Sequence, residues 1–349
     1  MLILADEDIP CVEHYFSPYG EIILKPGRLL THQDMRDVDI LLVRSVTVVN
    51  EALLHDSKVK FVGSISTGID HLDVAWLNKK NIRWSAALGC NAVAVAEYVV
   101  TVIAALQTQG LLLHKPCRAG VIGVGRVGSR VVEKLKLLGF EVVTCDPLRA
   151  EQEKEFVSTP IEEFADLDLV LLHVPLTDAG PCPTYHLIEK TFLKRQKKQC
   201  VLVNAARGSV INSIDLLEHG QHLIWCFDVW ENEPNINRTI LSKTLLASPH
   251  IAGHSVQSKY RGIDMIFKAA IQLGVLPDKQ IKSVTFPRIQ MAFSDNAGWR
   301  ERVLAVYNPI EISRAMKQAF LQDESVFDKL RKQLKRGHEF DFVDVDSGK

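Results

Sequence analysis

The sequence lacks an excess of charge of either sign. Its 349 residues include 41 Lys or Arg and 42 Asp or Glu, so its formal net charge is −1 at pH 7. Nucleic acids and anionic membranes attract proteins through clustered positive charge, which this balanced composition does not supply. We therefore expect neither nucleic acid nor a membrane as a partner.

Long hydrophobic runs are also missing, and the first residues do not have the pattern of a secretory leader. The longest apolar run, residues 92–106, is interrupted by Glu97 and is shorter than the ~18 residues that a membrane-spanning helix needs. The first residues include Asp6, Glu7 and Asp8, whereas a secretory signal begins with positive charge. These features predict a cytoplasmic protein.

Cysteine is scarce and scattered. The seven cysteines are an odd-numbered set without a Cys-x-x-Cys pair, which argues against a disulfide framework and against a zinc knuckle. The spacing of Cys, His and carboxylate residues matches no metal-ligand pattern. We therefore expect no metal site.

The composition is that of a globular protein, and short apolar segments alternate with helical ones. Hydrophobic residues make up 47% and charged residues 24%, enough for a sizeable core and more than one domain. The pattern predicts strands at residues 2–5, 21–24, 40–43, 59–62, 119–123, 141–145, 168–173, 200–204 and 223–228. It predicts helices at residues 91–107, 127–138 and 260–273. This alternation is typical of β-α-β units on parallel sheets.

Residues 123–128 have the pattern G-x-G-x-x-G and lie between a predicted strand and a predicted helix. Gly123 permits a tight turn, Gly125 lets the backbone approach a pyrophosphate, and Gly128 lets the helix pack closely on the strand. The N-terminus of the helix then offers N–H groups to the phosphates. The turn predicts a site for a dinucleotide.

Asp146 strengthens this prediction because it directly follows the next predicted strand. A carboxylate at that place accepts hydrogen bonds from the adenosine ribose hydroxyls and repels a 2′-phosphate. It therefore favours NAD over NADP. The nearby Arg149 leaves some binding of NADP open.

Three residue types needed for hydride transfer from an alcohol lie downstream, at predicted strand ends. The reaction needs a base, a group that orients the base, and a cation for the negative charge of the substrate. His250, Glu233 and Arg207 supply these types in that order. Taken singly, they are more often a structural histidine, a turn residue and a surface charge. Their order behind a dinucleotide turn favours the catalytic interpretation.

These motifs together resemble the D-isomer-specific 2-hydroxyacid dehydrogenases. The resemblance rests on residues 123–128, Asp146, and the segments 173–176 (HVPL), 204–208 (NAARG), 228–230 (DVW), 233–234 (EP) and 250–253 (HIAG). It implies an α/β fold with two doubly wound parallel-sheet domains, one flavodoxin-like and one Rossmann-like.

The resemblance also implies a domain organisation. A flavodoxin-like substrate domain would cover residues 1–92, and a Rossmann-like NAD-binding domain would cover residues 93–255. Residues 256–280 would return to the first domain, and residues 281–349 would form a small α+β dimerisation domain. We expect a homodimer, because the last domain and the apolar helix at 91–107 offer surface for one.

The same resemblance implies roles for individual residues. His250 would take the proton of the C2 hydroxyl, Glu233 would hold the imidazole and stabilise its charged form, and Arg207 would bind the C2 oxygen and the carboxylate. Asp228 would meet the nicotinamide amide. The other expected cofactor contacts are Arg126, Val127, Pro175, Ala206 and Gly253, with Gly123, Gly125, Gly128 and Asp146.

Segments near both ends of the chain indicate one subfamily within this family. They are similar to the subfamily that acts on 4-phosphoerythronate in bacterial vitamin B6 synthesis, at residues 43–47, 61–71, 89–92, 306–308 and 327–332. The similarity implies NAD-dependent oxidation of 4-phospho-D-erythronate to 2-oxo-3-hydroxy-4-phosphobutanoate. The partner would be a small phosphorylated hydroxy acid.

Substrate contacts are expected from loops of the first domain. The backbone N–H groups of Ser66, Thr67 and Gly68 suit a carboxylate, and Ser45 with Arg44 suits the distal part of a polar substrate. For the phosphate, Arg44 and basic residues of a partner's C-terminal domain are both candidates. An ordinary pair at a strand end is the structural alternative for Arg44 and Ser45.

Sequence patterns by themselves leave one substrate contact and the exact function open. His254 stands where the subfamily usually has Tyr, so a titratable imidazole replaces a phenol. The same fold handles 3-phosphoglycerate, although the C-terminal segment lacks the strand-rich pattern common in those enzymes. An NADH-sensing binding protein on this scaffold would keep the same residues, and only turnover distinguishes it from an enzyme.

Overall fold

The computed structural model describes residues 1–112, 117–294, 296–334 and 337–346. The chain forms two compact units. The first unit consists of Met1–Asn91 and Val256–Pro287, and the second of Ala92–Ser255 and Arg288–Lys349. The chain therefore leaves the first unit, builds the second, returns to the first, and ends in the second.

Strands and helices are numbered along the chain. The strands are β1 (Leu2–Asp6), β2 (Glu21–Lys25), β3 (Ile40–Val43), β4 (Phe61–Ser64), β5 (Arg83–Ala86), β6 (Arg118–Ile122), β7 (Glu141–Cys145), β8 (Leu169–Leu172), β9 (Val201–Asn204), β10 (Ile224–Phe227), β11 (Leu246–Ala247), β12 (Ile289–Ala292) and β13 (Val343–Asp346). The helices are α1 (Val12–Phe16), α2 (Glu51–Leu54), α3 (Val74–Lys79), α4 (Ala92–Thr108), α5 (Arg126–Leu137), α6 (Pro147–Gln152), α7 (Lys190–Arg195), α8 (Ser213–His219), α9 (Arg238–Lys243), α10 (Val256–Gln272), α11 (Trp299–Val306), α12 (Pro309–Gln322) and α13 (Phe327–Gln333).

The first unit is built on a parallel sheet with the strand order β2-β1-β3-β4-β5. This order is flavodoxin-like and confirms the expected fold. β3 is fully buried, as a parallel strand covered on both faces should be. Helix α10 lies close on the sheet, because a Cβ added at Gly63 would be 2.4 Å from Ile266 Cγ2. Gly63 therefore allows the returning segment to dock.

The second unit is built on a parallel sheet with the strand order β11-β10-β9-β8-β6-β7. Since β7 lies on one side of β6 and β8 on the other, the connections leave the carboxyl ends of β6 and β8 in opposite directions. Ligands of open α/β sheets bind in the crevice at such a point. The Rossmann-like fold is confirmed, and the Gly-rich turn after β6 lies at this crevice.

Helix α4 is buried on nearly all sides, as its apolar sequence predicts. Glu97 in its middle is only 3% exposed. Both carboxylate oxygens of Glu97 lie 3.1 Å from the backbone N of Phe340, which donates to them. The charge inside this helix therefore binds a segment near the end of the chain.

The C-terminal segment after residue 288 packs into the second unit. Met316, Phe320 and Phe327 are part of the same hydrophobic core as β8 to β10. Ser313 Oγ accepts a hydrogen bond from the backbone N–H of Ala247 at 3.0 Å, which ties α12 to β11. Of the small C-terminal domain expected at 281–349, the part from Arg288 onward belongs to the second unit, because its apolar helix faces pack into this core, and residues 281–287 belong to the first unit.

Neither membrane helices nor metal clusters were found in the part of the chain that the structure describes. No helix there is both long and apolar enough to cross a bilayer. No group of three or more His, Cys, Asp or Glu side chains there is arranged to hold a metal ion.

Candidate active site

The three glycines of the turn after β6 have different surroundings. Gly123 has a φ of +85°, and a Cβ added there would lie 2.7 Å from the carbonyl carbon of His173. A Cβ at Gly128 would lie 2.0 Å from Gly123 O, whereas one at Gly125 would meet nothing within 4 Å. Gly123 and Gly128 are therefore required by packing. Gly125 leaves open the space that a pyrophosphate would fill next to the start of α5.

Asp146 is fixed beside this turn. Its Oδ2 accepts the N–H of Val124 at 2.8 Å, and its Oδ1 accepts the N–H of Arg149 at 3.0 Å, so that it caps α6. Each carboxylate oxygen has a second lone pair, which leaves acceptors for ribose hydroxyls. The carboxylate therefore stands where the sequence predicts it, with its orientation set by backbone groups.

Arg149 is anchored to the same turn by several contacts. Its Nη1 donates to Val124 O at 2.9 Å and to Ser129 Oγ at 3.0 Å, and its Nη2 pairs with Glu153 at 2.8 Å. The guanidinium also stacks on the ring of Phe156 at 4.4 Å. Because protein groups occupy these donors, Arg149 is poorly placed to receive a 2′-phosphate.

His173, at the end of β8, contributes buried polar atoms next to the turn. Neither ring nitrogen makes a hydrogen bond within the described residues. Burial lowers the pKa of His173 to about 4, so the ring is neutral. Buried nitrogens without a partner are costly unless a ligand completes them. Together with the open space at Gly125, they show that the residues present fit a dinucleotide.

His250 and Glu233 form the hydrogen-bonded pair that the sequence predicts. His250 Nδ1 lies 2.8 Å from Glu233 Oε2, and Glu233 Oε1 accepts the N–H of Trp230 at 2.8 Å. Since a carboxylate only accepts, Nδ1 carries the proton. His250 Nε2 makes no hydrogen bond that the described ranges show, so its lone pair is available to a substrate.

The charge of Glu233 is stabilised by its surroundings. Burial by itself raises the pKa of this carboxyl and is the largest single influence, but the contacts around the carboxylate together outweigh it, and His250 with its hydrogen bond contributes most to this lowering. The Trp230 N–H and the Arg331 guanidinium also lower the pKa of Glu233, which falls below its ordinary value. Arg331 lies on α13 and is only 11% exposed. Sequence reasoning missed it, because its helix carries many other basic residues.

Asp228 holds the backbone that carries His250. Its buried carboxylate accepts the N–H groups of Ile251 at 2.8 Å and Ala252 at 2.9 Å and the hydroxyl of Ser248 at 2.6 Å. His250 itself has a φ of +56°, and its N–H donates to Asp228 O at 2.7 Å. Asp228 therefore first serves to shape residues 248–252, which we call the histidine loop. Its Oδ2 keeps one lone pair for a nicotinamide amide.

Arg207 lies on what we call the arginine segment, residues 204–212, which follows β9. Glu233 lies on the glutamate loop, residues 228–234, which follows β10. The two come into backbone contact, because a Cβ added at Gly208 would lie 1.9 Å from the carbonyl carbon of Trp230. The arginine and the His250–Glu233 pair are thereby brought to the same edge of the sheet.

Other expected cofactor residues lie on the same loops. The carbonyl of Pro175 accepts the hydroxyl of Thr184 at 2.6 Å, and Ala206 N–H donates to Asn204 Oδ1 at 3.0 Å. Gly253 follows the histidine loop, and the N–H of His254 donates to Ile251 O at 2.9 Å. Arg126 and Val127 open helix α5.

In the first unit, Arg44 is held by two carboxylates. Its Nε lies 3.0 Å from Asp6 Oδ2 and its Nη2 lies 2.7 Å from Asp8 Oδ2. Asp6 is fully buried, so this charge needs a partner. The ion pairs favour the structural alternative for the Arg44 guanidinium over a role in binding phosphate.

The loop that was expected to bind the carboxylate is held by Ser45, which was itself an expected substrate contact, and by Asn91, which the sequence did not single out as one. Ser66 Oγ accepts the N–H of Ser45 at 2.8 Å, and Thr67 Oγ1 donates to Asn91 Oδ1 at 2.7 Å. Beneath the loop, buried His71 Nε2 lies 2.8 Å from Ser64 Oγ. The loop that continues to Gly68 is therefore shaped by hydrogen bonds at both ends.

Known proteins resemble this chain over its full length. Residues 105–252 match the family described as D-isomer specific 2-hydroxyacid dehydrogenase, NAD binding domain. The erythronate-4-phosphate dehydrogenase of Coxiella burnetii strain RSA 331 is 42% identical over 98% of this chain and 94% of that protein. The erythronate-4-phosphate dehydrogenase of Legionella pneumophila strain Philadelphia 1 is 36% identical over 99% of this chain and 98% of that protein. This chain belongs to the erythronate-4-phosphate dehydrogenase family.

Solved structures with the same fold come from the wider dehydrogenase family. The D-lactate dehydrogenase of Aquifex aeolicus, complexed with NAD and lactic acid, has a TM-score of 0.63 at 21% identity over 78% of this chain and 96% of its own. The NAD⁺-bound 3-phosphoglycerate dehydrogenase of Entamoeba histolytica has a TM-score of 0.66 at 20% identity over 82% and 99%. Family membership makes this chain an NAD-dependent oxidoreductase of the 2-hydroxyacid dehydrogenase type.

Proposed function

We propose that this protein oxidises 4-phospho-D-erythronate at C2 to 2-oxo-3-hydroxy-4-phosphobutanoate, with NAD as the hydride acceptor. The chemistry is carried by the pair of His250 and Glu233, in which Nδ1 is committed to the carboxylate at 2.8 Å and Nε2 is left as a base. The choice of substrate is supported by the full-length similarity to erythronate-4-phosphate dehydrogenases.

In the proposed reaction, His250 Nε2 removes the proton of the C2 hydroxyl. When bound, NAD accepts the hydride that leaves C2, and the C2–O bond becomes a carbonyl. Glu233 stabilises the imidazolium that forms, because its own carboxyl stays ionised. The positive charge generated by proton removal thus stays on the imidazole of His250 and is balanced by the negative carboxylate of Glu233.

Arg207 is proposed to bind the C2 oxygen and the carboxylate of the substrate. A guanidinium presents parallel donors that match a carboxylate, and its positive charge stabilises the oxygen as the proton leaves. The backbone N–H groups of Ser66, Thr67 and Gly68, the side chain of Ser45 and the imidazole of His254 are proposed as further substrate contacts.

Asp146 is proposed to select NAD over NADP. Its carboxylate has lone pairs for the ribose hydroxyls, and Arg149 is already engaged by Val124, Ser129 and Glu153. A 2′-phosphate would therefore face the negative charge of Asp146.

We further propose that the protein acts in the cytoplasm as a homodimer joined through its C-terminal segment, residues 281–349. The similarity of residues 306–308 and 327–332 to the subfamily's dimerisation domain supports the dimer, and the soluble substrate and NAD fit the cytoplasm. Light scattering on the full chain should give twice the 39.1 kDa of one chain. A monomer at micromolar concentration would contradict the proposal.

The substrate is tested by measuring NADH formation with 4-phospho-D-erythronate, 3-phosphoglycerate and D-lactate, with a 2-oxo acid present in case the reduced cofactor is retained. We expect kcat/KM for 4-phospho-D-erythronate to be higher by about 10²-fold, which is a few kcal/mol of transition-state binding. Equal or better use of 3-phosphoglycerate would contradict the substrate. Tight NADH binding without any turnover would instead support an NADH sensor.

A further inference from the structure

A second histidine–glutamate pair lies beside the first. His186 Nε2 is 2.8 Å from Glu231 Oε1, and the two side chains are 27% and 18% exposed. The catalytic candidates His250 and Glu233 have nearly the same values, 27% and 19%. Glu231 lies on the glutamate loop, two residues before Glu233. Because the two pairs have similar distances and exposure, the question is whether His186 is another base.

Asn212 fixes the protonation state of His186. Asn212 Oδ1 accepts the N–H groups of Ile214 at 3.0 Å and Asp215 at 3.1 Å, so the orientation of its amide is set. Its Nδ2 therefore faces His186 Nδ1, at 3.2 Å. Because an amide nitrogen only donates, Nδ1 must accept, and the proton lies on Nε2, which donates it to Glu231.

The two pairs therefore have opposite chemistry. In His250 the proton lies on Nδ1, and the lone pair of Nε2 is available to a substrate. In His186 both nitrogens are used by protein groups, and a second proton would place Nδ1–H against the donor of Asn212. Both ring nitrogens of His186 are therefore occupied by protein groups, and neither offers a lone pair to a substrate.

What His186 does is connect the two loops of the candidate site. Its backbone N–H donates to Ser209 O at 2.8 Å, and its Nδ1 binds Asn212, both on the arginine segment. Its Nε2 binds Glu231 on the glutamate loop. The ring of Tyr185 stacks on the imidazole at a centroid distance of 3.9 Å and limits its movement.

We propose that His186 is a positioning residue that, through Glu231 and Asn212, holds the arginine segment in register with the glutamate loop. The inference rests on the proposed function, in which Arg207 and Glu233 act on the same substrate from these two loops. Small displacements of catalytic groups lower turnover steeply, whereas the Gly-rich turn at residues 123–128 and Asp146, which would bind the pyrophosphate and the ribose, follow β6 and β7 and lie on neither loop. The loss of His186 should therefore lower kcat and spare NADH binding.

The kinetic test compares His186→Ala with His222→Ala, a control histidine of the same unit whose Nε2 binds only Gln196 O. We expect kcat of His186→Ala to fall about 10- to 100-fold, with the Kd for NADH and the Tm close to those of the control. An unchanged kcat, or a loss of NADH affinity as large as the loss of kcat, would overturn the proposal.

Variants of Glu231 keep the test valid if His186→Ala does not fold. Glu231→Gln retains an oxygen that accepts the Nε2 proton, so it should keep most of the activity, whereas Glu231→Ala should lose as much as His186→Ala. The double variant His186→Ala with Glu231→Ala should be no worse than either alone, because both remove one contact. Additive losses would contradict a shared role.

A spectroscopic test does not depend on turnover. In ¹⁵N-histidine spectra at neutral pH, His186 should show an unprotonated Nδ1 and a protonated Nε2. Asn212→Asp keeps the oxygen that caps α8 but replaces the donor to Nδ1 by an acceptor, so the ¹⁵N signal of Nδ1 should change in this variant. If the unmodified protein oxidises no hydroxy acid, the proposed function fails. The spectra then still test whether His186 joins the arginine segment to the glutamate loop through Asn212 and Glu231. A protonated Nδ1 in the unmodified protein would refute it.

Discussion

Among single residues, His250 depends most on its immediate partners. Its backbone lies in the left-handed region, with a φ of +56°, and the neighbouring N–H groups of Ile251 and Ala252 are held by the buried Asp228. Glu233 then fixes the ring by taking the Nδ1 proton. The orientation of the base is thus set on both sides, by its main chain and by its ring.

Replacing His250 by Ala removes the base and leaves the nucleotide turn untouched. We expect kcat for hydroxy acid oxidation to fall by about 10² to 10⁴, the usual contribution of a general base. The Kd for NADH, measured by fluorescence titration, should change less than about threefold. Near-normal turnover would show that another group takes the proton.

Asp146 should decide the choice of cofactor. In Asp146→Ala we expect NADH to bind about 10-fold or more weakly, because hydrogen bonds to a charged group are lost, and discrimination against NADPH to relax. Fluorescence titration with both cofactors measures this. Asp168→Ala is a matched control, because Asp168 accepts the N–H of Arg118 at the other end of β6 at 2.8 Å. An unchanged cofactor ratio in Asp146→Ala would rule out its role.

At the level of elements, helix α13 brings a charge to the catalytic pair from the end of the chain. Phe327 and Leu330 are buried in the core that also contains Trp230. The same packing places Arg331 where it lowers the pKa of Glu233. The C-terminal segment therefore influences the site as well as any interface between subunits.

Replacing Arg331 by Met keeps the bulk of the side chain and removes its charge. The pKa of Glu233 should rise, so the carboxyl becomes protonated at a higher pH and the acid limb of the kcat/KM profile should shift to higher pH. At pH 7.5 we expect less than about a threefold change, because Glu233 is still ionised there. Lys329→Met, an exposed lysine on the same helix, is the control. Identical profiles for both variants would contradict the effect of Arg331.

The sequence patterns located most strands of the described residues but missed four, namely β5, β11, β12 and β13. β12 and β13 form a two-stranded sheet, in which both are edge strands. β5 (Arg83–Ala86) lies at the edge of its sheet and has a mostly half-buried sequence, and β11 (Leu246–Ala247) has only two residues. The predicted strand at 59–62 lies two residues early, because Val59 is buried before the strand begins. Edges and short strands carry a weak pattern, since too few residues alternate.

For the molecule as a whole, the lowered pKa of Glu233 makes the free energy of unfolding depend on pH in the acid range. The native carboxyl binds a proton less readily than the unfolded one, so its contribution is present above the ordinary pKa of 4.5 and is lost as the pH falls through the lower native value. In Glu233→Gln, the free energy of unfolding should therefore fall less steeply with acid than in the unmodified protein. Urea unfolding at a series of pH values tests this, and parallel curves would contradict it.

The sequence by itself determined the nucleotide turn, Asp146, and the order of Arg207, Glu233 and His250, together with the parallel-sheet fold. These features are local: glycine spacing, strand periodicity and the residue type at a strand end are all readable from neighbours in the chain. Tertiary structure alone decided which charges are paired. Asp6 and Asp8 neutralise Arg44, Arg331 approaches Glu233, and His186 joins two loops. Such contacts join residues far apart in sequence, and no periodicity encodes them, because they depend on how the packed elements bring the side chains together.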